Sequence, residues 1–121
     1  MIISTTGKTV QAMTALNEIR GQKISKAKAK ELHHLRTVMQ ETVDYYMEQV
    51  NEIAERLGLT VGMDGTVTFG NDMDKRVNFL REMTEMEETE AKLDVDMLDL
   101  SDEDISISEN FVANTAEFVK V

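Results

Sequence analysis

The sequence predicts a mainly α (α+β) protein. It reads as a long helical hairpin with a small β-hairpin at its tip, a short N-terminal helix and a C-terminal strand-helix segment. Three observations predict it. An apolar stripe runs unbroken from about Lys26 to Leu57, no proline occurs to interrupt a helix, and Asp64-Gly65 sits between two short β-branched runs. The 121 residues fit a single domain, 1–121, and 41% apolar with 30% charged residues is a globular balance.

Residues Gly7 to Ile19 read as the short helix, with Val10, Met13, Leu16 and Ile19 recurring every three residues and Thr5 or Thr6 as its cap. Gly21 stops it, Gln22-Lys23-Ile24 is an extended link, and Ser25 caps the long helix. There Leu32, Leu35, Met39, Val43, Tyr46, Val50, Ile53 and Leu57 keep to one stripe, and Gly58 ends the helix in the left-handed conformation. The β-hairpin spans Leu59–Phe69, with Asp64-Gly65 supplying the two positive-φ residues of a type I′ turn.

Asn71 or Asp72 caps a third helix running to about Ala91, whose stripe is Met73, Val77, Leu80, Met83 or Thr84, and Glu87. This helix is shorter than the long one, so the first helix and the C-terminal segment, or a second copy of the chain, must cover the remainder. Leu93 to Leu100 begins in strict alternation, as a half-buried strand does. Ser101 to Asp104 is a turn, and Ile105-Ser106-Ile107 reads as another short strand. Ser108 opens a final helix with Phe111, Val112, Thr115, Phe118 and Val119 on one face.

Charge is distributed unevenly. The net charge is −10; residues 1–60 hold eight Lys/Arg and seven Asp/Glu, a net +1, while residues 61–121 hold five and sixteen, a net −11. Such acidity argues against direct binding of nucleic acid, whose phosphates reward the opposite sign. No apolar run approaches the roughly 20 residues that span a bilayer, and no secretory h-region is present, so the expected setting is cytoplasmic. The absence of cysteine fits a reducing compartment and removes thiolate metal sites and cysteine nucleophiles.

The candidate partner-binding residues are the acidic run Glu82, Glu85, Glu87, Glu88, Glu90, Asp94, Asp96, Asp99, Asp102, Glu103 and Asp104, broken by Lys92 alone. It reads either as a solvated face with edge-strand charges, or as a docking surface for a basic partner or a mimic of a nucleic-acid phosphate track. A calcium loop is disfavoured: Leu98 occupies a ligand position and no sharp-turn glycine follows. Lys23, Lys26, Lys28 and Lys30 crowd the start of the long helix, where the helix dipole disfavours them, which suggests pairing with the acidic segment.

Little points to chemistry. His33 and His34 diverge by about 100° on a helix, and Glu31-x-x-His34 has no second copy in the chain with which to build a di-metal bundle. No nucleophile elbow or phosphate-binding loop occurs, so no catalytic residue and no cofactor is expected.

The blocks Ala15 to Ile19, Gln22 to Ser25, Leu35 with Tyr45 or Tyr46, Ile53 to Gly58, Leu93 to Asp96 and Phe111 to Val119 follow one another in a recognisable order. In that order the chain resembles a family of short uncharacterised proteins of tailed phages and prophages of Gram-positive bacteria. It departs from the family where Ile24-Ser25 replaces a Leu-Pro-Val type link. The resemblance implies no enzymatic activity. It implies an accessory protein acting in the host cytoplasm or the virion, through a protein partner or as a homo-oligomer built on the long helix. One role is virion (tail) assembly or structure; the alternative is an inhibitor whose acidic half occupies a basic groove on a host defence or nucleic-acid enzyme.

Overall fold

The computed structural model describes all residues, Met1–Val121. Ser25 caps helix α2 (Lys26–Arg56) by accepting from Lys28 N, and 31 residues at 1.5 Å each give a rod of about 46 Å. All eight residues of its predicted stripe are buried or half-buried. Gly58, at φ 69°, terminates it as expected. The stripe is covered in two lengths. Its first half, through Leu32, Leu35 and Met39, belongs to a cluster of 13 buried residues; its second half, through Val50, Ile53 and Ala54, belongs to a separate cluster of six.

The first cluster is the body. Strand β1 (Ile2–Thr5) pairs antiparallel with β4 (Glu90–Leu93), Ile2 opposite Leu93 and Thr5 opposite Glu90. Helix α1 (Thr6–Ala15) follows β1 directly and ends in a 3₁₀ turn, Leu16–Ile19; Thr5 caps it through Lys8 N at 3.2 Å. Strand β5 (Leu98–Asp99) runs parallel to β6 (Val119–Lys120), and α4 (Glu109–Thr115) between them is capped by Ser108. The second cluster is an arm made of the distal half of α2, the hairpin β2 (Thr60–Val61) and β3 (Val67–Thr68), and α3 (Met73–Glu87), which Asp72 caps. Phe79 meets Phe69 edge-on at 5.3 Å, closing the arm's core below the β-hairpin.

Several expected details are corrected. The buried face of α1 is Thr6, Thr9 and Ala12, continued by Leu16, whereas Val10 and Met13 are only half-buried. Small residues let α1 lie close to α2 and α4, and the threonine hydroxyls satisfy themselves: Thr9 donates to Thr5 O at 2.8 Å, and Thr6 shares a bond with Thr89 Oγ1 at 2.8 Å. The tip turn is not type I′. Only Gly65 has positive φ (84°), and Asp64 instead accepts from Thr66 N at 3.0 Å. α3 stops at Glu87, because Thr89 turns the chain into β4, so the strand expected from Leu93 to Leu100 splits around the Asp94–Asp96 turn.

Ile105 to Ile107 forms no strand. Its pairing is supplied by one side chain: Gln22 Oε1 accepts from Ser106 N at 2.7 Å while Gln22 Nε2 donates to Ser106 O at 2.8 Å. In the last helix Val112 is exposed, and Phe118 and Val119 are buried beyond the helix end, Val119 within β6.

Two tests follow from this packing. Ala12→Leu adds volume where the exposure is 0% and should destabilise the fold by about 1–3 kcal/mol, while Val10→Leu should be near neutral; thermal or urea denaturation separates them. Glu18 accepts from Ser108 Oγ at 2.5 Å and from Ser108 N at 2.8 Å, and these bonds hold its carboxyl below the usual range. A depressed carboxylate stabilises the fold above its ordinary pKa of about 4.3, and that contribution is lost as pH falls through the lower folded value. Glu18→Gln should therefore be less stable at pH 7 and should lose less stability on acidification than wild type, read from melts between neutral and acid pH.

Candidate functional site

The acidic run does not assemble into one surface. Glu82, Glu85, Glu87 and Glu88 lie on and just beyond α3, Glu90 on β4, Asp94 and Asp96 in the turn that follows, and Asp99 to Asp104 beside the start of α2. Five of the eleven carboxylates have partners within the chain. Arg56 Nη1 donates to Glu82 at 2.6 Å, Lys92 lies 3.5 Å from Glu90, and the N-terminal ammonium lies 3.4 Å from Asp96. Asp99 accepts from Ser101 Oγ at 2.5 Å and from Ser101 N at 2.9 Å; these bonds, reinforced by Lys120 and Lys28, hold its carboxyl below the usual range. Glu103 accepts from Ser25 Oγ at 2.5 Å and Ser25 N at 3.1 Å, so it braces the residue that caps α2. Glu85, Glu88, Asp94, Asp102 and Asp104 point into solvent without such partners. Glu87 is half-buried, and together with burial it raises the pKa of the Tyr46 hydroxyl, burial being the larger cause.

The basic start of α2 and the acidic turn face each other across a cleft of about 660 Å³ lined by Met1, Lys28, Lys30, Glu31, His34 and the segment Asp94 to Asp99. Lys28 and Lys30 are thus brought beside the acids, but the contact ion pair of Lys28 is with Glu31 at 3.1 Å, and Lys23 and Lys26 have no acid within 4 Å. The cleft carries both charges in near balance. His33 and His34 are both exposed, and nowhere do three His, Asp or Glu side chains converge as metal ligands would.

The feature that sequence reading missed lies on the arm. α3 buries Phe79, Met83 and Met86 against α2; of its predicted stripe Met83 is buried and Glu87 half-buried, but the first three members point outward, Met73 being 66% exposed, Val77 58% and Leu80 52%. Two apolar faces compete on this helix, and Phe79 and Met86 decide the matter because together with Met83 they form the continuous face that meets Val50, Ile53 and Ala54. The signal was available, since Phe79, Met83 and Met86 also follow helical spacing.

No helix is long and apolar enough to cross a membrane. No family model, curated protein or solved structure matches the chain.

The partition of carboxylates into bonded and free groups is testable. Glu103→Ala should cost about 1 kcal/mol by removing both bonds to Ser25, whereas Asp102→Ala and Asp104→Ala should stay within about 0.5 kcal/mol of wild type in denaturant titrations.

Proposed function

We propose that the chain is a non-enzymatic accessory protein of a tailed phage or prophage that acts by protein–protein binding in virion (tail) assembly or structure. The phage setting rests on the resemblance carried by Ala15 to Ile19, Gln22 to Ser25 and Phe111 to Val119. The binding role rests on one observation: Met73, Val77 and Leu80, at i, i+4 and i+7 on α3, present large apolar side chains to solvent along a single face of the arm. Scattered exposed apolar residues are ordinary, but a continuous stripe on one helix face gains about 25 cal/mol for each Å² that a partner covers. The chain then works in the host cytoplasm or as part of the virion.

The inhibitor reading draws on Glu85, Glu88, Asp94, Asp102 and Asp104, which are free to meet a basic groove. It is the weaker reading, because the other carboxylates of the run are spread over both ends of the molecule and five are engaged internally.

Affinity capture from lysate of infected cells separates the two. Wild type, a Val77→Lys/Leu80→Glu variant and a variant with those five free carboxylates amidated are compared. The assembly reading expects a virion protein retained by wild type and by the amidated variant but lost from the stripe variant. A basic host protein lost only from the amidated variant, with binding that fades as salt rises, replaces assembly by inhibition.

A further inference from the structure

Residues 20–36 are a basic stretch in an acidic chain. They hold six Lys/Arg and one Asp/Glu, a net +5 against −10 for the whole. The fold brings the two arginines of this stretch to one place. Arg20 follows the 3₁₀ turn Leu16–Ile19, where Gly21, at φ 84°, redirects the chain. Arg36, on α2, reaches the same turn, its Nη2 donating to Leu16 O at 2.9 Å. A cation is favoured at such a helix C-terminus, but that bond uses one of the five N–H groups of Arg36 and none of Arg20. Arg36 is half-buried, and no carboxylate lies within 4 Å of either guanidinium. Burial first, and the charge of Arg20 second, pull the Arg36 pKa down. Charges taken out of water are ordinarily paired; this one has a like charge beside it in a chain with 23 Asp and Glu.

The two guanidiniums border a hollow of about 270 Å³, with His33 beside them and Ile19, Ile24 and Leu32 as an apolar wall. No Asp or Glu lines it. Glu41 and Asp44 share a separate hollow with His33 and Arg36 and stay beyond 4 Å of the guanidinium, while Glu18 is held by Ser108. We infer that this hollow binds a small phosphate monoester, its anionic head between Arg20 and Arg36 and its organic group against the apolar wall. Two fixed positive charges match a phosphate monoester, which carries about −1.5 to −2 at neutral pH, better than the single charge of a carboxylate. Planar guanidinium forks also suit pairs of phosphate oxygens, and a histidine ring has an N–H to donate in either protonation state. The volume falls just under the roughly 300 Å³ at which pockets begin to enclose drug-sized ligands, so the ester is a small one. The inference goes beyond the protein-binding reading and is independent of it, because the hollow lies on the body and the apolar stripe on the arm.

Isothermal titration calorimetry of the full chain tests this with phenyl phosphate, inorganic phosphate and benzoate. Phenyl phosphate should bind one to one, more tightly than inorganic phosphate, which has no group for the apolar wall, and more tightly than benzoate, which carries one charge. Arg20→Gln, at an exposed position, should weaken phenyl phosphate about tenfold or more, as the loss of a charged hydrogen-bonding partner does. Arg36→Lys keeps the charge and loses the fork, and should weaken it several-fold. Lys30→Gln removes the same charge from the part of α2 that lines the larger cleft and should stay within about threefold of wild type. Unchanged circular dichroism and melting establish that each variant is folded. A wild type that does not bind phenyl phosphate overturns the inference, as do arginine variants that bind like wild type. Equal losses from Arg20→Gln and Lys30→Gln overturn it too, being the behaviour of a diffuse basic surface. Benzoate bound as tightly as phenyl phosphate overturns the assignment of a phosphate.

Discussion

A helix of about 46 Å with an apolar stripe along its whole length has to be covered twice over in a chain of this size. That demand organises the molecule. α1, the β1–β4 pair and the C-terminal strands and helix close over Leu32, Leu35 and Met39, while α3 and the β-hairpin close over Val50, Ile53 and Ala54. α2 is therefore the only element that contributes to both cores. Because the arm is only two helices thick, α3 can bury one side against α2 and must leave the other to solvent. The exposed stripe of Met73, Val77 and Leu80 is a consequence of that geometry.

The body is held differently from the arm. Its strand pairs are short, four residues in the longest, and side chains reaching between the N-terminal and C-terminal halves complete the backbone pairing. Gln22 stands in for a strand opposite Ser106, Glu18 meets the Ser108 cap of α4, and Glu103 braces the Ser25 cap of α2. Each bond joins residues more than 75 positions apart in sequence. Of the acidic run only Glu103 is committed in this way; the run presents no single acidic face because its carboxylates are spread from α3 through β4 to the segment beside the start of α2. No buried side-chain nitrogen or oxygen lacks a partner, so the small polar residues that replace apolar ones on α1 cost the core little.

The cleft between Lys28, Lys30 and the Asp94–Asp99 turn is lined by charges that offset one another, and the carboxylates with shifted pKa values, Glu18, Asp64 and Asp99, are all pulled down by hydrogen bonds. A carboxylate held ionised in this way is suited to fixing a backbone and poorly suited to receiving a proton near neutral pH. The arm's outer face carries Met73, Val77 and Leu80 along its centre and Asp74, Arg81 and Glu85 on one flank, all of them exposed.

By itself the sequence determined the elements whose causes are local. The span and cap of α2, the glycine that ends it, the Ser108 cap, a cap for α3 at Asn71 or Asp72, and the hairpin at the tip all follow from periodicity, capping chemistry and backbone freedom within a few residues. Tertiary structure alone decided which face of an element is buried. α1 buries Thr9 and Ala12 instead of Val10 and Met13, because close approach to its neighbours favours small side chains whose hydroxyls bond locally. On α3 two apolar faces satisfy the same periodicity, and only the position of α2 selects Phe79, Met83 and Met86 over Met73, Val77 and Leu80. The fate of each carboxylate was likewise settled in three dimensions, since Glu103 and Asp104 are adjacent in sequence and only Glu103 lies within hydrogen-bonding distance of Ser25.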